Sequence, residues 1–131
     1  TAFQVGSFTE LQPARTIADS ICVSVPRNGL HAVQQLNRYQ GLSITVEDDE
    51  IQSAQKVLSS RVGLFAEPAA AAAFAGFVKI HGQLDQGATT VIIVTGNGLK
   101  DIEAAARTVH VPTSSISSLA DLNQHHEEEN S

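Results

Sequence analysis

TTVIIVTGNGLKD, residues 89–101, is the stretch that decides the fold. Residues 89–94 are six consecutive β-formers with no charge and no polar alternation, the pattern of a strand buried on both faces of a largely parallel sheet. After Thr95 come Gly96, Asn97 and Gly98, then an acidic start at Asp101 and the helix formers Ile102, Glu103, Ala104, Ala105 and Ala106. The segment therefore reads as strand, glycine turn and helix, and the class as α/β with an open sheet and flanking helices. In such sheets ligands lie beyond the carboxyl ends of the strands, which places the Thr95 hydroxyl where a ligand touches. A plainer reading, that the glycines only make the turn, stays open. Two nucleotide motifs fail on spacing. A dinucleotide fingerprint needs a third glycine where Asp101 stands, and a P-loop needs Ser or Thr after Lys100.

Upstream, a helix is expected from about Gly29 to Tyr39, with Asn28 as its cap and Leu30, Val33 and Leu36 as its apolar stripe. Leu42, Ile44 and Val46 alternate with Ser43 and Thr45, as in a strand with one covered face. Glu47, Asp48, Asp49 and Glu50 resemble a metal site only superficially. Acids at this point satisfy the free amides and the dipole of a starting helix, which continues through Ile51, Ala54, Val57 and Leu58 to about Arg61 and stops at Gly63. Pro68 opens an alanine-rich helix to about Ile80. Its small side chains let a backbone or a flat ligand come close, though close helix-to-sheet packing is the stronger reading of them. Glu67 stands before that helix, where packing gives no reason for a carboxylate. Residues 15–20, RTIADS, suit a short helix, a tight loop or a plain connector, and residues 21–25 a short extended piece.

The ends carry less. Phe3 to Val5 is β-like, 109–111 suits an edge strand and 117–122 a short helix. His125 and His126, beside Glu127, sit in a polar tail that offers nothing to fix them as metal ligands. The domain reading is 1–122 for the folded part and 123–131 for the acidic tail.

The chain has 131 residues, 42% hydrophobic content and a net charge of -6. Its eight basic residues are scattered and its aromatics are five Phe and one Tyr, which argues against nucleic-acid and anionic-membrane surfaces. The longest uncharged apolar run, 68–78, is short of the roughly 20 residues that span a bilayer. Cys22, the single cysteine, lies between Ile21 and Val23 and reads as a small buried hydrophobe. A reducing, cytoplasmic compartment is expected. The chain starts at Thr1 and contains no Met, from which a piece of a longer product is expected.

Three pieces together, TIADSI at 16–21, GLFAEPAAAAAFAG at 63–76 and VTGNGLKD at 94–101, resemble threonine synthase of the fold type II (tryptophan synthase β-like) pyridoxal phosphate enzymes. The resemblance runs from about Ala2 to Leu122 and corresponds to the last third or so of that enzyme. Asn97 departs from the family, which often has His there, and Ala70 stands where a glycine is common. The resemblance implies that the Thr95 hydroxyl bonds the pyridine nitrogen of pyridoxal 5'-phosphate, that Gly96 gives the ring edge room, that Ala18 with Ile17 lines one side of the cofactor pocket, and that Glu67 is a polar group near the cofactor. The family's cofactor-bearing lysine, in a Ser-x-Lys context, and its Gly-Asn phosphate loop have no counterpart here. Lys56, Lys79 and Lys100 read as solvated charges. The chain alone is expected to be inactive and to contribute one wall of a site that converts O-phosphohomoserine and water to threonine and phosphate. Expected partners are the remainder of the enzyme or a full-length relative, a small-molecule substrate and further copies of the chain. The rival readings are a stand-alone metabolite-binding or partner-pairing pseudoenzyme and a related fold type II dehydratase.

Overall fold

A computed structural model describes residues 13–100, 102 and 106. The N-terminal β-like piece, the edge strand at 109–111, the helix at 117–122, the His125 and His126 tail and most of the helix expected after Asp101 lie outside these residues.

Among the described residues, three helices make the frame. Helix α1, Gly29–Arg38, buries no residue fully, and Leu30 points to solvent. Asn28 precedes it as expected, but its side chain makes no capping bond; its carbonyl accepts from Ala32 N–H at 2.9 Å. The backbone at Asn28, with ψ 20°, is outside the extended region that lets a cap side chain reach forward. The helix closes with Gly41 N–H on Leu36 O at 2.7 Å, and the left-handed residue of that closure is Gln40, φ 54°, rather than the glycine after it.

Helix α2, Asp48–Val57, starts as the acids predict. The Glu50 carboxylate reaches back to Glu47 N–H at 2.7 Å, and Asp49 Oδ1 accepts from Glu50 N–H at 2.9 Å. Beyond Val57 the helix widens into a π-turn, Leu58–Val62, where Ser59 and Ser60 hydroxyls donate to Lys56 O. Gly63 then stops it with φ 72°, a conformation that penalises any side chain, and Leu64 N–H returns to Leu58 O.

Helix α3, Pro68–Ile80, has Pro at its first position, and Ala70 and Ala71 N–H both reach Glu67 O. It packs on α2, the main helix contact among the described residues. Ile51, Ala54 and Leu58 recur at helical spacing on one side, and Ala70, Ala71 and Ala75 on the other, joined by Ala66 and Ala18. Small residues on both sides let the axes approach. Only Ile51 and Leu58 bring bulk, and burying such a side chain contributes about 1.5–3 kcal/mol. Lys79 adds a tie, donating to Thr45 O at 3.0 Å and lying 2.9 Å from Glu50. It is not the freely solvated charge expected.

The expected strands do not form a sheet among the described residues. The one pairing is an antiparallel bridge, Ala66 with Asn97. Residues 42–46 and 89–94 lie without ladder partners, and Val91 is 81% and Ile93 71% exposed. A strand's amides and carbonyls can be satisfied only by a neighbour, so an apolar run has strand character without a strand's bonds where no neighbour stands. Residues 21–25 form no paired strand either. Cys22 is half-buried between the exposed Ile21 and Val23, a correction to the buried hydrophobe expected, because the short 3₁₀ turn Asp19–Ile21 carries the chain across the surface there. No helix among the described residues is long and apolar enough to cross a membrane.

Candidate functional site

The bridge between Ala66 and Asn97 brings two sequence-selected pieces into contact. Gly98 N–H donates to Phe65 O at 2.8 Å and Glu67 N–H to Gly96 O at 3.1 Å, so the turn after residue 94 is pinned to the segment that leads into α3. Gly96 is buried here for want of room. A Cβ on it would lie 2.0 Å from Glu67 Oε1, and one on Gly98 2.6 Å from the Phe65 ring. The glycines thus do more than turn the chain: the Glu67 carboxylate and the Phe65 ring occupy the space that side chains would take.

Thr95 is exposed and lines an open recess of about 470 Å³ between residues 63–65 and 94–97. Its walls offer a hydroxyl, an amide side chain and an aromatic ring, with no ionised group among the described residues that line it.

Glu67 is 7% exposed and stands between this recess and another of about 340 Å³, lined by Asp19, Ser20, Glu67, Pro68, Ala69 and Lys100. Its Oε2 accepts from Ser20 Oγ at 3.5 Å, and Lys100 Nζ lies 3.9 Å away. Lys100 therefore departs from the solvated charge expected, since it is the cation facing a buried carboxylate. It is itself largely exposed, so the pair contributes under about 1 kcal/mol and serves mainly to match charge.

Ala18 is fully buried in the cluster that holds Ala66, Ala70 and Ala71, with Ile17 packed against it. Its own side chain faces the core, and the residues after it, Asp19 and Ser20, reach the recess beside Glu67. Of the four residues selected, Gly96 and Glu67 touch, Thr95 adjoins them, and Ala18 supports the loop that meets Glu67 from the other side.

Two polar groups escaped sequence reasoning. Gln55 is buried and its Nε2 donates to Ala66 O at 2.7 Å, fixing the carbonyl before Glu67, while its Oε1 has no partner among the described residues. The signal was present: Gln55 interrupts the apolar stripe of Ile51, Ala54 and Leu58, where a polar residue needs a buried partner. Asp48 is the second. Rather than capping its own helix it accepts from Thr16 Oγ1 at 2.5 Å and from Ile17 N–H at 3.2 Å, across more than thirty residues.

Comparison with known proteins gives the family. A family model described as pyridoxal-phosphate dependent enzyme matches residues 1–96. The chain is similar to the threonine synthase of Halalkalibacterium halodurans, 37% identical over 103 residues, covering 77% of this chain and 29% of the relative. Against the threonine synthase of Methanocaldococcus jannaschii it is 39% identical over 99 residues, 74% of this chain and 24% of the relative. Against that of a Bacillus species it is 34% identical over 109 residues, 82% and 31%. The chain thus spans between 24% and 31% of the length of these relatives. The family match takes in Ala18, Glu67, Thr95 and Gly96, and on it the chain belongs to the pyridoxal-phosphate dependent enzymes.

Proposed function

We propose that this chain is the C-terminal part of a threonine synthase-like enzyme and supplies the wall against which the pyridine ring of pyridoxal phosphate rests. The observation that carries the reading is the exposed Thr95 hydroxyl in a recess with no ionised group among the described residues that line it, next to a glycine that Glu67 keeps bare. These residues fit the cofactor. Bound there, pyridoxal phosphate supplies an electron-withdrawing ring, and the protein sets how strongly that ring withdraws. Thr95 Oγ1, a neutral hydroxyl, would donate a hydrogen bond to the ring nitrogen, whereas a carboxylate at this position would hold that nitrogen protonated. Gly96, whose side-chain space the Glu67 carboxylate fills, would let the turn sit against Glu67 and so set the height of Thr95 in the recess. Glu67 holds the turn in place from behind, its charge faced by Lys100 rather than by the ring.

The reaction in this reading is the conversion of O-phosphohomoserine and water to threonine and phosphate. The remainder of the enzyme would supply the cofactor-bearing lysine, the phosphate loop and the substrate contacts. The apolar run at 89–94, which has no ladder partner among the described residues and lies beside a recess of about 570 Å³ shared with α3, supports this over a stand-alone binding domain, because such a run is suited to take a neighbouring strand.

The test is the intact mass of the complete gene product with its visible absorbance, followed by Thr95→Val and Thr95→Ser. A larger polypeptide carrying the cofactor band is expected. Thr95→Val should weaken cofactor affinity roughly tenfold, the worth of one hydrogen bond, and Thr95→Ser should keep it. A product of this mass alone, with no band after added cofactor, overturns the reading in favour of a binding or pairing role.

A further inference from the structure

The loop that carries Ala18 to Ser20 has little to hold it by packing. Ala18 is its one buried side chain, a methyl group, and the Asp19–Ile21 turn buries nothing. Polar bonds fix it instead. Thr16 Oγ1 donates to Asp48 Oδ1 at 2.5 Å, Ile17 N–H donates to Asp48 Oδ2 at 3.2 Å, and Ala18 N–H donates to Thr16 Oγ1 at 3.1 Å. Both carboxylate oxygens are thereby used on the loop, and the threonine hydroxyl is at once donor to the acid and acceptor from the backbone. Bonds to an ionised acceptor are the stronger kind, and two oxygens gripping a side chain and an amide fix direction as well as distance. Asp48 is also the first residue of α2, so the loop is tied to the start of a helix rather than to another loop. At its far end the same loop presents Ser20 to Glu67.

Resting on the function proposed above, we infer that Thr16 and Asp48 are positioning residues for the cofactor wall. They do not touch the cofactor. They fasten the start of the 16–20 loop to α2, so that its end reaches Glu67, the group that packs against Gly96 behind Thr95. The chemical logic separates the tie from plain stability. Thr16→Val keeps shape and leaves the Asp48 charge on the helix, and removes only the relay. Thr16→Ser restores the relay without the methyl.

The experiment uses the complete gene product and reads cofactor affinity from its absorbance and fluorescence, together with hydrogen exchange at the Ile17 and Ala18 amides. Thr16→Val is expected to weaken cofactor binding roughly five- to tenfold and to speed exchange at both amides, while Thr16→Ser stays within about twofold of the parent. Asp48→Asn, which puts an amide donor where one of the two loop donors must be accepted, should act like Thr16→Val. Unchanged exchange and unchanged affinity in Thr16→Val overturn the inference, and so does Thr16→Ser behaving as badly as Thr16→Val. A parent protein that takes up no cofactor overturns the proposed function and the cofactor half of this inference with it. Exchange unchanged in Thr16→Val overturns the tie itself, whatever the cofactor does.

Discussion

The pair of helices α2 and α3 and the apolar run at 89–94 have similar claims to being a core, and only one of them is. In the helices every amide beyond the first turn finds its carbonyl within the element. What remains is to cap the start and to bury a stripe, as Ile51, Ala54 and Leu58 do against Ala70, Ala71 and Ala75. Residues 89–94 are more apolar per residue, yet Val91 and Ile93 stand in solvent. A helix carries its hydrogen bonds with it, whereas a strand borrows them from a neighbour. Hydrophobicity of sequence therefore says that a segment is to be covered, and its period says whether the cover must also complete the backbone.

The sharpest way to break that contrast is to truncate one side chain in each region. Ile51→Ala should cost about 2–5 kcal/mol, because it opens a cavity between two helices that are already closely packed. Val91→Ala should change stability by no more than about 0.5 kcal/mol in the 131-residue chain, as at other exposed positions. Denaturant unfolding measures both. If the two costs match, something covers residues 89–94 and the difference between the regions disappears; if Val91→Ala becomes costly only in the complete gene product, the missing neighbours are found there.

The turn that ends the exposed run is tight even though the run itself is bare. Gly96→Ala drives a Cβ into the Glu67 carboxylate and should destabilise by about 1–3 kcal/mol. Adding Glu67→Ala should return much of that loss, since it removes the atoms in the way, so the double mutant should be less damaged than the sum of the single ones. Strict additivity would mean that something other than Glu67 keeps the Gly96 position free of a side chain.

The helices were legible because their signals are local. Acids at 47–50, the Ile51 to Leu58 stripe, Gly63 as stop and Pro68 at the first turn each act within a few residues of where they stand. Gly96 and Glu67 could be singled out, one as a turn glycine and the other as a carboxylate out of place, but nothing in the sequence says that they touch. The ties that matter to the site span long separations: Thr16 to Asp48, Ser20 to Glu67, Lys100 to Glu67. A charged or hydroxyl side chain advertises a need for a partner without naming it. Hence Lys79 and Lys100 read as solvated, and Asp48 as one more acid at a helix start. The sheet stands differently: the patterns at 42–46 and 89–94 are plain in the sequence, and among the described residues no ladder partner is there to test them.

The smallest expected effect concerns the outer edge of the helix pair. The Lys79 ammonium bonded to Glu50 holds that carboxyl below the usual carboxylate range, the Glu47 N–H adds to the lowering, and burial opposes it weakly. A carboxyl depressed in the folded state stabilises folding fully above its unfolded value of about 4.3, and loses that contribution as pH falls through the folded value. Glu50→Gln should therefore be slightly less stable than the parent near neutral pH, and the gap should close on acidification below about pH 4. Gln keeps an oxygen for Glu47 N–H, so the helix start is preserved and only the charge is removed. Urea unfolding of both proteins across that range measures the gap. A gap that persists unchanged into strong acid would mean that Glu50 ties α2 to α3 by shape and hydrogen bonding, with its charge contributing nothing, and the helix pair would then owe its independence from the rest of the molecule to packing alone.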